Sequence, residues 1–220
     1  MTACHFQEMK GMKKVPTKTY FNLSEEKQSR LVAAAAEEFS RVPLNEASIN
    51  NIIKKAEISR GSFYQYFADK EDLYYYYLSL LKQDTQKMLL DSFKKAKGNL
   101  FEGYRLFFPA VLTLIMDEEH SDFFKHMFLH MDYRTGKEVT PDTAKHLETE
   151  RKSDHPLKKH IDMEKLKLTD SEDFSMLIKF LMTTLFGTIG EGFYKKHSKE
   201  EIISAFNKKI DWIEYGLEKN

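Results

Sequence analysis

An all-α fold is what this sequence predicts, and three observations predict it. Gly (9) and Pro (5) are scarce in 220 residues, which leaves little of the turn chemistry a β architecture needs. Apolar residues recur at spacings of three and four over most of the chain. Helix-start signals punctuate that pattern: Ser24 before Glu25 and Glu26, Asp69 with Asp72, Thr169 with Glu172, and Ser198 with Glu201.

Taken in order, residues 1–22 carry no apolar period and read as a flexible N-terminal extension, with Met12-Lys13-Lys14 an alternative start. Its lysines, residues 10–18, have two readings, a strand along DNA backbone or a solvated tail. A first helix is expected over 24–41, with Leu31, Val32, Ala35 and Phe39 on one face and Pro43 beyond its end. A short helix from Ser48 turns Ile49, Ile52, Ile53 and Ala56 inward. A third, very short, begins near Ser59. A fourth opens at Asp69 and runs through Tyr74–Tyr77 toward Gly98, some of those rings packing as core contacts of a linker helix and others facing solvent, rather than forming a stacking platform. Residues 100–116 form an apolar helix that Pro109 should kink or divide. Another follows over 121–133, then a loop at 134–141 and a polar stretch to about 159 with a short helix. Two helices close the chain, at 170–196 and 199–218.

Composition narrows the class. Lys/Arg and Asp/Glu balance at 34 each, but residues 1–70 hold 11 basic against 8 acidic groups and the remainder 23 against 26. The N-terminal third can therefore face phosphate. No apolar run approaches the roughly 20 residues needed to span a bilayer, and no secretory signal is visible, so no membrane partner is expected. The single cysteine, Cys4, fits a reducing cytoplasm. There is no Gly-rich phosphate loop, no HExxH pair and no nucleophile–base set, so no enzyme and no cofactor is expected.

Residues 48–67 carry the chemistry. Two short helices that cross closely need small apolar inner faces, and Ile52, Ala56, Ile58 and Phe63 supply one. Ser59 can cap the second helix. Arg60, Gly61, Ser62, Tyr64 and Gln65 are then left outward near its start. Arg suits guanine, Gln suits adenine, and Gly61 leaves room for close approach to DNA. Ser48, Tyr66, Lys70 and the amides at the helix starts sit where phosphate contacts are expected. The bland alternative is a helical hairpin that merely packs.

The run Ile58-Ser59-Arg60-Gly61-Ser62-Phe63-Tyr64-Gln65-Tyr66-Phe67, followed by Asp69-Lys70-Glu71-Asp72-Leu73, resembles the recognition helix and fourth-helix start of TetR/AcrR-type repressors. The resemblance covers roughly residues 24–80. It departs at Gln65-Tyr66, where His is common in the second position. It implies a fold of an N-terminal three-helix helix-turn-helix DNA-binding domain (23–70) followed by a helical effector-binding and dimerisation domain (71–220). By the same resemblance, Arg60, Gly61, Ser62, Tyr64 and Gln65 face the bases, while Ser48, Ser59, Tyr66 and Lys70 hold phosphates. A ligand-responsive regulator is implied, in the first place a repressor. It would bind palindromic double-stranded operator DNA as a homodimer and be released by an unidentified small apolar or amphipathic effector.

Further expectations follow for the larger domain. The dimer surface is expected on the last two helices: Phe174, Leu177, Leu181, Leu185 and Ile189, then Ile203, Phe206 and Ile210, with Gly187, Gly190 and Gly192 allowing close approach. The other reading is that these stripes face their own subunit's core. An effector pocket is expected among Tyr104, Phe108, Leu112, Phe124, Met127 and Phe128. Two rivals stay open. One is an all-helical metal-dependent enzyme using His126 and His130, which share a helix face with Asp122. The other is a helix-turn-helix architectural protein without an effector.

Overall fold

A computed structural model describes residues 16–130, 156–168 and 170–217, and every regular element among them is helical. The expectations for residues 10–14 and for the loop at 134–141 lie outside the described residues. The chain starts with α1 (Lys18–Phe21), where an extension was expected. Tyr20 is the reason it is ordered. Its ring is fully buried, 5.3 Å from the rings of both Phe67 and Tyr76. Thr17 adds two bonds: its amide donates to the Tyr66 carbonyl (3.0 Å) and its Oγ1 to the Gln65 carbonyl (2.6 Å). Residues 16–22 are therefore a strap, and the expectation of flexibility is corrected for them.

α2 (Glu25–Arg41) is capped by Ser24, which accepts from the Lys27 amide, and buries Leu31, Ala34, Ala35 and Phe39. It also buries a carboxylate. Glu38 accepts from Arg41 Nη2 (2.8 Å), the Ser48 amide (2.8 Å) and Asn51 Nδ2 (3.2 Å). Burial pushes its pKa up, but these hydrogen bonds and the Arg41 charge outweigh that and hold it below the usual carboxylate value. One acid thus ties α2 to the loop and to α3 (Ile49–Ala56). The turn that follows has no glycine. Glu57 takes the left-handed conformation (φ 53°) and ion-pairs with Arg30 at 3.0 Å. α4 (Arg60–Tyr66) then crosses α3, and Phe63 seals the crossing.

α5 (Lys70–Lys95) runs about 39 Å at the usual helical rise and links the two ends of the molecule. Asp69 caps it, accepting from the Asp72 amide at 2.7 Å. Tyr74 and Tyr77 are buried, as expected of the tyrosine run: Tyr74 meets Phe39 at 5.1 Å and Tyr77 meets Phe123 at 4.9 Å. Lys97 and Gly98, both at positive φ, reverse the chain into α6 (Leu100–Ile115). Pro109 lies inside α6 without dividing it. Gly103 faces the Phe93 ring, which a Cβ would overlap, so α5 and α6 approach closely there. α7 (Ser121–Leu129) packs between α2 and the helix over Ser171–Lys195. Two 3₁₀ turns, Pro156–His160 and Met163–Lys165, close the far end, where the Asp162 amide donates to the Gly98 carbonyl at 2.9 Å.

α8 (Ser171–Lys195) and α9 (Lys199–Tyr215) complete the fold. Thr169 lies outside the described residues. The residue that caps α8 is Asp170, accepting from the Glu172 (2.8 Å) and Asp173 (2.9 Å) amides. The Ser198/Glu201 capping box expected for α9 is present in both directions. Gly192 lets α9 close on α8, since a Cβ there would strike Ile202. Lys209 on α9 reaches Thr188 (3.0 Å) and Glu191 (3.2 Å) on α8. Lys195 and Lys209 together hold the Glu191 carboxyl down to about 2.

Candidate nucleic-acid interface

α4 is seven residues long, and its two sides differ completely. Phe63 and Phe67 are fully buried on one side, which fixes the axis of the helix against α3 and α5. On the other, Arg60, Gly61, Tyr64 and Gln65 are exposed and Ser62 half-exposed. Ser59 Oγ accepts from the Ser62 amide (3.0 Å) and lies 2.8 Å from Ser62 Oγ, so one hydroxyl pair finishes the first turn. The remaining amides of that turn have no partner within the helix and lie at the positive end of its peptide dipoles. Arg60 Nη1 donates to Asn50 Oδ1 at 2.9 Å, and Nη2 lies 3.4 Å from the Tyr64 hydroxyl. A Cβ at Gly61 would meet only Ser59 Oγ, at 3.8 Å. The fold itself does not require glycine at that position.

Two expected phosphate holders have other engagements. Tyr66 is 8% exposed, its ring 6.3 Å from Tyr20, so it is core rather than surface. The strap packs over it, which no reading of residues 1–22 as an extension would anticipate. Lys70 donates to the carbonyls of Asn45 (2.9 Å) and Ala47 (3.1 Å). It thereby fastens the α2–α3 loop. Ser48 is half-buried, with its amide on Glu38. Sequence reasoning missed Asn50, Thr17 and Tyr20. Asn50 gave no signal, because a contact between two helices has no period. Tyr20-Phe21 gave a weak one, as adjacent aromatics in a polar stretch.

Comparison with known proteins places the chain in a family. A family described as "Bacterial regulatory proteins, tetR family" matches residues 31–76, which include α3 and α4. A second, "Tetracyclin repressor-like, C-terminal domain", matches residues 99–217, more than half of the chain. The chain belongs to the TetR family. The two descriptions are those of bacterial regulatory proteins and of a repressor-like C-terminal domain. Among curated relatives, the uncharacterized HTH-type regulator YvdT of Bacillus subtilis (strain 168) is 33% identical over 92 residues, 42% of this chain and 43% of that protein. YdgC of the same strain is 35% identical over 71 residues, 30% of this chain and 36% of that one. Each match spans less than half of the relative's length. The structure of the transcriptional regulator FadR from Bacillus subtilis, in complex with stearoyl-CoA, covers 86% of this chain and is itself covered to 99%. Its TM-score is 0.52 at 15% identity, a likeness of fold.

Within this TetR-family fold, the residues expected at a dimer surface sort differently. Phe174, Leu181, Leu185, Ile189, Phe206 and Ile210 are buried in their own subunit, and Leu177 and Ile203 are half-buried. For the six buried residues that expectation is corrected: the stripe of α8 that packs on α7 and α9 is intramolecular core. Phe206 stacks on Phe108 with ring centres 3.8 Å apart. A different stripe of α8 is uncovered. Met176 is 64% exposed, Phe180 56% and Tyr194 78%, with Thr183 and Gly187 exposed between them. On α9, Trp212 and Tyr215 are exposed as well. With apolar residues on two sides, α8 is long and apolar enough by length and composition to cross a membrane, yet its other side is packed inside this fold.

The six residues expected around an effector are all buried. Phe124 and Phe128 stack, and Tyr104 meets Phe93 edge-on at 5.6 Å. The Tyr104 hydroxyl is fully buried and has no hydrogen-bond partner among the described residues, and burial pushes its pKa well up. Leaving such a hydroxyl unpaired costs about 1–3 kcal/mol. Among the described residues, no three of His, Cys, Asp and Glu cluster as metal ligands. Burial holds His126 below the usual imidazole value, with His130 and Lys125 adding to this and Asp122 and the Ser40 carbonyl opposing it. That carbonyl belongs to α2, so the His126 ring lies at the joint between the N-terminal helices and α7.

Proposed function

We propose that this TetR-family regulator binds palindromic operator DNA as a homodimer and acts as a repressor that a small effector releases. One observation carries the DNA half of this reading. A seven-residue helix presents Arg60, Gly61, Ser62, Tyr64 and Gln65 outward while Phe63 pins its back. Guanidinium and carboxamide groups read purine edges in a major groove, and the bare backbone at Gly61 admits close approach. Ser59 and the amides of the first turn supply phosphate contacts, with Ser48 beside them. Tyr66 and Lys70 act indirectly, by holding the helix and its preceding loop. The DNA-binding unit spans residues 16–70, the strap included, and the remaining chain is the regulatory unit. The protein works in the cytoplasm, where its DNA is.

One short helix makes too few contacts for strong discrimination, and a twofold pair doubles them. The exposed α8 stripe of Met176, Phe180, Thr183, Gly187 and Tyr194, flanked by Trp212 and Tyr215 of α9, is the pairing surface we assign. Exposed apolar surface of this kind marks an interface. The effector enters the α5–α8 core near Tyr104, Phe108 and Leu112 on one side and Phe124, Met127 and Phe128 on the other. FadR, a protein of the same fold, was crystallised in complex with stearoyl-CoA, which supports an amphipathic ligand. The unpaired Tyr104 hydroxyl supports a polar group on that ligand. The effector moves the equilibrium by its preference for a state in which α5 carries the two α4 helices out of register.

A gel shift with the purified protein and the DNA flanking its own gene tests the reading. Retardation at low salt that Arg60→Ala weakens in a sequence-dependent manner is the expected result. A folded dimer that retards no duplex at low salt would overturn it.

A further inference from the structure

One side-chain contact crosses the outward face of the helix-turn-helix. Arg60 Nη1, at the start of α4, donates to Asn50 Oδ1 in the first turn of α3 at 2.9 Å, and both residues are exposed. Arg60 Nη2 lies 3.4 Å from the Tyr64 hydroxyl, and the guanidinium carbon is 5.8 Å from the centre of that ring. The guanidinium is thus held from two sides by two different helices. The adjacent Asn51 has a separate task, since its amide donates to the buried Glu38 carboxylate at 3.2 Å from both oxygens. Of two neighbouring asparagines, one serves the fold and the other faces out beside the arginine.

We propose that Asn50 is a positioning residue for base recognition: it holds the Arg60 guanidinium in the orientation that meets a guanine edge, and so sets specificity at that base pair. This rests on the reading that α4 enters the major groove. A free surface arginine samples many rotamers and must give them up on binding, whereas a held one has given them up already. The guanidinium offers five N–H groups in a plane. Asn50 uses one on Nη1 and Tyr64 can take one on Nη2. The others remain for O6 and N7 of guanine. Adenine shares N7 but presents an amino group where guanine has O6. A loose guanidinium can swing away from that mismatch; a held one cannot, so holding it sharpens the choice of guanine. The holder is also neutral. A carboxylate at position 50 would orient the arm equally well but would offset its charge and repel phosphate.

The test uses the full-length protein and a duplex library with a randomised core. Selection defines the preferred site, and each base pair of it is then replaced in competition binding. For the wild type, one guanine should be strongly required, and Arg60→Ala should be indifferent at that pair. Asn50→Ala should lower discrimination at the same pair about five- to tenfold, part of what a good bidentate contact gives. It should leave the affinity for unrelated duplex and the salt slope unchanged, and should add nothing in an Arg60→Ala background. Asn50→Asp should keep the preference for guanine while weakening binding to every duplex. The proposal is overturned if Asn50→Ala leaves discrimination intact. It is equally overturned if that change weakens all sequences alike with a shallower salt slope, the mark of a phosphate contact. An additive effect at a different base pair would make Asn50 a direct reader and also overturn it. A wild-type protein that selects no duplex sinks the α4 reading together with this one, a result distinct from the other three.

Discussion

α4 and α8 are both helices with two faces, and they use the second face in opposite ways. In α4 the buried side is Phe63 and the outward side is guanidinium, hydroxyl and carboxamide. In α8 the buried side is Phe174, Ile178, Leu181, Leu185 and Ile189, and the outward side is again apolar at Met176, Phe180 and Tyr194. A polar outward face marks a surface that must stay wet until a polar partner arrives. An apolar one marks a surface that must be covered. Where only one stripe is apolar, periodicity names the core. Where two are, periodicity cannot say which one the subunit keeps for itself.

The sharpest way to break that contrast is a charge on the uncovered stripe. Phe180→Asp should leave the subunit folded by circular dichroism but monomeric by sedimentation. Its affinity for a two-half-site duplex should fall at least about a hundredfold, the loss expected when paired binding becomes single. A variant that remains a dimer at the same concentration would move the pairing surface elsewhere. Phe206→Ala probes the buried stripes. It should lower unfolding free energy by about 3–5 kcal/mol in urea titrations. An effect on association alone, with stability intact, would reverse the assignment.

Smaller effects sharpen the picture within each region. Glu38→Gln should cost the DNA-binding end about 2 kcal/mol, since it weakens charge-assisted bonds to Arg41, Ser48 and Asn51. Folding lowers the Glu38 pKa, so its stabilisation is present above the ordinary carboxylate value and is lost as pH falls through the lower folded one. The difference between variant and wild type should therefore shrink on acidification. A difference that stays constant with pH would remove the charge from the explanation. Smallest of all, Tyr104→Phe removes a hydroxyl with no partner among the described residues and should raise stability by up to about 1 kcal/mol, read as a higher melting temperature. A lower melting temperature would mean that a bound molecule satisfies that hydroxyl.

What was legible in the sequence follows the same physics. The caps at Ser24, Ser59, Asp69 and Ser198 were legible because a capping side chain acts within three residues of itself. The outward chemistry of α4 was legible because it is written in residue types on a short helix. The strap was not, because four residues carry no period and Tyr20 finds its partners some fifty residues away. Tyr66 was misplaced for the same reason, since its cover comes from that strap. The Asn50–Arg60 contact joins two helices across the turn at Glu57, whose left-handed backbone no glycine announced. On α8, the more regular stripe was read as the interface, yet regularity is what a subunit's own core demands.

The bare band on α8 also bears on how such a chain must be made. Under the pairing proposed above, Met176, Phe180 and Tyr194 are an adhesive strip until a partner covers them, one that any other exposed greasy patch can catch. The interval between synthesis and pairing is the dangerous one. Twin chains growing on neighbouring ribosomes of a single message would shorten it, so on the proposed pairing the exposed strip favours mating at birth over a later search for a partner.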